Sequence, residues 1–184
     1  MASGYWADQG IQPKRQYKWI LQFSELGSAT GAGAVLPQWI VKTVSKPSFT
    51  IGEASHAFIN HTFHFPGKLT WSAIDVTMVD PITPNASDAL IQAIRASGYQ
   101  YPNEGQNGTS AGTSFSKAAA TSVLGEVKLI QLGNTINERV EEWNLKNAWI
   151  KDVNFGSLSY DTEELTTISM TLRYDWAQYE KLLG

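Results

Sequence analysis

The sequence predicts a mainly β fold: an antiparallel β-sandwich or rolled barrel with one α-helix and long loops. Period-2 alternation recurs along the chain and is cleanest over residues 166–176. There Ile168, Met170, Leu172, Tyr174 and Trp176 face one way, and Thr167, Ser169, Thr171, Arg173 and Asp175 the other. Helical spacing stands out only over residues 85–98. The length, 184 residues at 42% hydrophobic, suits one domain (1–184) with a sizeable core, and no linker offers a place to divide it.

Taken in order, residues 1–15 are too polar to fold alone and read as a flexible arm. Tyr17, Trp19, Leu21 and Phe23 then alternate with polar neighbours as a first strand. A Gly/Ala/Ser/Thr stretch, 27–34, is a loop. The next run, 36–51, opens on Leu36-Pro37 and is β-rich from Trp39 to Val44. Pro47 cannot donate to a ladder, so this strand ends there or runs along an edge. Residues 56–65 alternate again and end at Pro66-Gly67, a turn signal.

In the strand 69–81 the apolar parity slips, from Leu69, Trp71 and Ala73 to Ile74, Val76 and Met78. A bulge or a change of buried face is expected there. The helix begins at Asn85 as cap with Asp88 three residues on, and stops at Ser97-Gly98. A long polar loop covers 99–113, and Ser114–Ser122 is a candidate short helix. Strands over 126–132, 142–150 and 166–176 finish the chain, with a Gly133-Asn134 turn after the first.

Several kinds of chemistry are excluded or disfavoured. With no cysteine there is no disulfide framework, thiolate metal site or cysteine nucleophile. The 14 basic and 17 acidic residues give a net charge of −3, which argues against a basic grip on nucleic acid and against a polybasic membrane contact. The first ten residues lack a signal peptide's basic and apolar regions, and no stretch reaches the length of a membrane helix, so a cytosolic protein is expected. Nucleophile-elbow, phosphate-loop and zinc-protease motifs are missing.

His56, His61 and His64 fall close together. On one extended strand His56 and His64 share a face but stand about 27 Å apart, so they converge only if the chain turns near Asn60-His61. The acidic pairs Glu141-Glu142 and Glu163-Glu164 would suit a two-carboxylate hydrolase, but strand neighbours point to opposite faces and solvated charge is the simpler reading. Trp19, Trp71, Trp143, Trp149 and Trp176 lie on the apolar parity and are assigned to the core. That weakens the alternative of a carbohydrate-binding sandwich that uses tryptophans and the 99–113 loop. Trp6 and Trp39 lie near loops and are assigned to contacts between subunits.

The order of segments resembles the tail tube proteins of contractile-tailed bacteriophages. The residues that carry it are the Leu36-Pro37 opening with its run to Ile51, the block from Phe65-Pro66-Gly67 to Asp80-Pro81, and the helix ending at Gly98-Tyr99. The most specific piece is 155–180, a Phe-Gly-x-Leu-x-Tyr turn followed by a Thr-rich strand closing on Tyr174-Asp175. The loops 27–34 and 99–113 depart from the pattern.

The resemblance implies a tail-tube-like fold and a structural subunit with no enzymatic activity and no cofactor. It implies homo-oligomeric hexameric rings stacked into a hollow tube, with strands of each subunit joining a continuous β-barrel around the lumen. Implied partners are the tail sheath protein, the tape-measure protein, the baseplate or tube initiator and the tail terminator. Double-stranded DNA would pass through without specific binding, and the subunit would not insert in a membrane. The implied location is the virion tail, assembled in the host bacterial cytoplasm. Type VI secretion and R-type bacteriocin tubes share the architecture and are the alternatives.

On that resemblance the extended segment 46–65 is expected to act as an arm in assembly, through Lys46, Pro47, Phe49, Ile51, Phe58 and Ile59 with Trp6 and Trp39. Its alternative is an ordinary hairpin of the main sheet. Thr167, Ser169, Thr171, Arg173 and Asp175 are the expected lumen-lining set. A weakly acidic chain suits a channel that cargo must slide through, because each phosphate contact adds affinity.

Overall fold

The computed structural model describes residues 13–26, 36–99 and 115–182. Trp6, the 27–34 loop and all of the 99–113 loop except Tyr99 lie outside these residues. In chain order the strands are β1 (Trp19–Phe23), β2 (Val41–Val44), β3 (Phe49–Phe58), β4 (His61–Trp71) and β5 (Ile74–Val79). After α1 (Ala86–Ala96) and α2 (Lys117–Leu124) come β6 (Val127–Leu132), β7 (Arg139–Lys146), β8 (Trp149–Asn154), β9 (Thr167–Arg173) and β10 (Trp176–Lys181). A first sheet has the order β1-β6-β7-β10 and a second β2-β5-β9-β8, while β3 and β4 form a two-stranded ribbon of their own. All pairings are antiparallel. The expected mainly β architecture is therefore observed, but among the described residues no sheet closes into a barrel.

The core lies between the two four-stranded sheets. Leu21, Val127, Leu129 and Leu145 come from the first; Ile74, Val76, Met78, Ile168, Met170 and Leu172 come from the second. Helix α1 adds Ala86, Ala89, Leu90 and Ala93. It is capped as the sequence predicts, with the Asp88 amide donating to Asn85 Oδ1 at 2.8 Å. Asp80 is a second cap: its Oδ1 accepts from the amides of Ala86 and Ser87, and its Oδ2 from the Ser87 hydroxyl at 2.6 Å. Helix α2 falls on the candidate segment 114–122, so the described residues hold two helices, one more than the predicted fold carries.

Three expected strands are each broken by a corner. The 69–81 run splits at Ser72-Ala73, and this break is the physical origin of the parity slip. Residues 142–150 divide at Asn147, whose φ of 54° turns the chain from the first sheet to the second. Trp149 consequently pairs with Arg173 on the outer face of the second sheet instead of entering the core. Likewise 166–176 ends at the 174–175 corner. Trp176 starts β10 and is 49% exposed, contrary to its expected core placement. Trp19, Trp71 and Trp143 do pack against the core, partly buried.

Candidate functional site

The ribbon β3–β4 is the most unusual surface of the molecule. The chain reverses at Ile59-Asn60, between the paired residues Phe58 and His61. Pro66-Gly67 is not a turn; it lies inside β4, where the pairing slips opposite Gly52. A Cβ on Gly67 would stand 3.0 Å from the Gly52 carbonyl oxygen, tighter than side chains usually pack, so the close approach of the backbones favours glycine there. Every residue of the ribbon except Trp71 is exposed, on both faces. The register explains how its apolar groups are arranged. Phe49, Ile51, Leu69 and Trp71 share one face at the base, and beyond the slip Phe58, Phe63 and Phe65 share the other.

The ribbon is a prolongation of the β2–β5 pair. Ser45 N donates to Asp75 O at 3.0 Å, and Ser72 N to Ser48 O at 2.9 Å, carrying the ladder from the second sheet into the arm. Trp71 packs at 5.3 Å from Phe49, edge on, and at 6.0 Å from Tyr174 of the body. At the tip, Ile59 has a φ of 54° and is 88% exposed. A β-branched residue is strained in that region, and neither the fold nor solubility calls for isoleucine there.

The turn at Ile59-Asn60 alters the reading of the histidines. His56 and His61 fall on one face and His64 on the other, where its Nδ1 is 3.7 Å from Glu53 Oε1. Among the described residues no group of three or more His, Cys, Asp or Glu is placed to hold a metal ion. No helix among them is long and apolar enough to cross a membrane.

At the foot of the arm lies a carboxylate that, contrary to expectation, is not solvated charge. Glu141 is 4% exposed on the core-side face of β7. It accepts from Lys46 Nζ at 2.5 Å through Oε1 and from Lys14 Nζ through Oε2. Burial pushes its pKa up, but the two lysine hydrogen bonds and charges outweigh burial and hold it below the ordinary 4.5. One carboxylate therefore ties the N-terminal segment to the arm base, in a groove of about 890 Å³ that Trp19, Trp39 and Trp143 also line. Of these three only Trp39 is exposed, so they offer no open platform for a sugar ring. Glu142, also buried, faces the other way and meets Lys128 Nζ at 3.3 Å.

Glu141→Gln is expected to cost about 1 kcal/mol, the small value reflecting two half-exposed lysines. Because the folded-state pKa is depressed, the contribution is full above the ordinary carboxylate range and is lost as pH falls through the lowered value. Urea midpoints for the two proteins, separated at pH 7, should therefore converge in acid. Equal midpoints at pH 7 would rule the tie out.

The outer face of the second sheet carries Thr167, Ser169, Thr171 and Arg173, joined by Asp75, Thr77 and Asp152 through the strand register. Thr171 Oγ1 donates to Asp75 Oδ1 at 2.8 Å. Asp175 stands apart from the set, past the end of β9. Its carboxylate accepts from Lys117 Nζ at 2.6 Å and Asn147 Nδ2 at 2.7 Å, and these hydrogen bonds lower its pKa.

The chain is a small two-sheet body with one long exposed ribbon, and solved structures share its overall fold. A chain in the cryo-EM structure of the anti-feeding prophage (AFP) baseplate superposes with a TM-score of 0.62 at 10% identity, over 94% of this chain and 98% of that one. A chain in the AFP tube-terminating cap gives 0.61 at 15% identity, over 98% and 99%. A chain in the sheath–tube complex of the extracellular contractile injection system PVC gives 0.61 at 14%, over 94% and 95%. No protein-family model and no curated protein matches the sequence. The fold is tail-tube-like, as the resemblance read from the residues implies.

Proposed function

We propose that this chain is the structural subunit of the inner tube of a contractile tail. Six copies would form a ring and rings would stack into a hollow conduit, with no enzymatic activity and no cofactor. The observation that carries this reading is the β3–β4 ribbon, exposed on both faces, on a body with the fold of a chain from a contractile injection system. Such a ribbon buries little of its apolar surface within its own chain and is marginal by itself, so a neighbouring subunit is its natural cover. The arm residues Lys46, Pro47, Phe49, Ile51, Phe58 and Ile59 serve ring stacking.

The outer face of the second sheet, with Thr167, Ser169, Thr171 and Arg173, lines the channel. It is rich in hydroxyls and mixed in charge, which suits a surface that must not hold cargo. In a phage the cargo is double-stranded DNA, and the partners are sheath, tape-measure protein, baseplate initiator and terminator, in the virion tail. The likeness to AFP and PVC chains favours a second version of the same reading, the tube of a contractile injection system.

Negative-stain microscopy of the concentrated protein should show rings or hollow fibres, and a reconstruction should place the second sheet's outer face on the channel. A protein that stays monomeric even with its baseplate initiator overturns the proposal.

A further inference from the structure

Strand directions give the second sheet two distinct ends. Val44, Ile74, Leu172 and Trp149 mark the end from which the arm leaves; Val41, Val79, Thr167 and Asn154 mark the other. From that other end the chain enters the 155–166 loop, and Trp39 and Ile82 lie just beyond the strand termini there. Among the described residues, seven of the exposed large apolar side chains lie on the arm and six at this opposite end. Leu158, Tyr160, Leu165, Ile82 and Trp39 are each exposed to 70% or more. Head-to-tail stacking requires two different, complementary surfaces at opposite ends of one subunit. Thirteen of the twenty exposed large apolar side chains among the described residues stand in that arrangement.

The loop is held at both feet. Gly156 has a φ of 81°, and a Cβ there would stand 2.5 Å from the Thr167 carbonyl oxygen, so only glycine fits. Its amide donates to Asn154 Oδ1 at 2.9 Å, and Asp80 N donates to Thr166 O at 3.0 Å. A surface anchored in this way loses less entropy on docking. Charge is compatible as well. Residues 155–166 contain Asp161, Glu163 and Glu164 with no Lys or Arg, while on the arm Lys68 balances Glu53, so the acidic loop meets a surface without net negative charge.

We infer that the 155–166 loop, with Trp39 and Ile82 at the same sheet end, is the docking surface for the β3–β4 arm of a second copy of this chain. This rests on the tube reading and names the partner surface that reading leaves open. The arm is about 30 Å long, enough to clear the body and lie along a neighbour's opposite end.

The absence of cysteine allows a direct test. Double variants pairing Leu158→Cys with Ile51→Cys, Phe58→Cys, Ile59→Cys or Phe63→Cys are assembled under reduction, oxidised and run on a non-reducing gel. The two sulfurs of one chain sit at opposite ends and cannot bridge within it. At least one pair should give a covalent ladder of chain multiples from fibres and none from dilute monomer. Fibres with no ladder from any pair overturn the docking surface and leave the tube reading standing; a wild-type chain that makes no fibres even with its baseplate initiator overturns both. Leu158→Asp with Tyr160→Asp should lower fibre yield about tenfold or more with unchanged circular dichroism. A wild-type yield from that variant also overturns the inference.

Discussion

Replacing residues 50–70 with a two-residue Asn-Gly turn is expected to leave a folded monomer and abolish fibre growth. The substitution joins Phe49 to Trp71, which are already cross-strand partners, so the new turn closes a register that exists. No residue of 50–70 belongs to the buried core or to the partly buried shell packed on it. Circular dichroism and the urea midpoint of the body should therefore change little, while microscopy shows no fibres. Fibres of normal length from this protein would refute the role of the arm in stacking. Ile59→Gly is the finer version. It relieves a strained φ and should leave the monomer equally stable or about 1 kcal/mol more so, while weakening assembly.

The second large effect has the opposite signature. Leu172→Ala should destabilise the body by about 3 kcal/mol, because Leu172 is fully buried, with Ile74 and Ile150 as its cross-strand neighbours in the second sheet. Against a total of about 5–15 kcal/mol this is a large fraction. The urea midpoint should fall at unchanged slope, and fibres formed below the transition should look normal. A shift equivalent to less than about 1 kcal/mol would show that the sheets do not pack around this residue as described. Together the two variants would separate a role of the arm in assembly from the role of the sandwich in folding.

Local features of the fold were legible where the signal is local. The Asn85 cap with Asp88, the Gly98 stop and the alternation of Ile168, Met170 and Leu172 depend on neighbours in sequence and were read correctly. The corners at Ser72-Ala73, Asn147 and Tyr174-Asp175 were not, since period-2 alternation carries on through a corner while the strand changes sheets. This is why Trp149 and Trp176 were misplaced. The arm's turn is only half signalled, since Asn60 suits a turn and Ile59 does not, whereas Pro66-Gly67 advertises a turn and makes a bulge. Glu141 was missed for a different reason: its partners Lys14 and Lys46 are distant in sequence, and nothing near it marks burial.

The continuity of the arm with the β2–β5 pair has a mechanical consequence. Backbone hydrogen bonds from Ser45 N to Asp75 O and from Ser72 N to Ser48 O carry the ladder across the break at Ser72-Ala73. Torque applied at the tip would pass through these bonds to the sheet as twist, and the slip opposite Gly52 is the irregularity it would meet in the ribbon's register. A rod assembled from such levers would resist rotation of one layer against the next, while still bending where the glycines allow it.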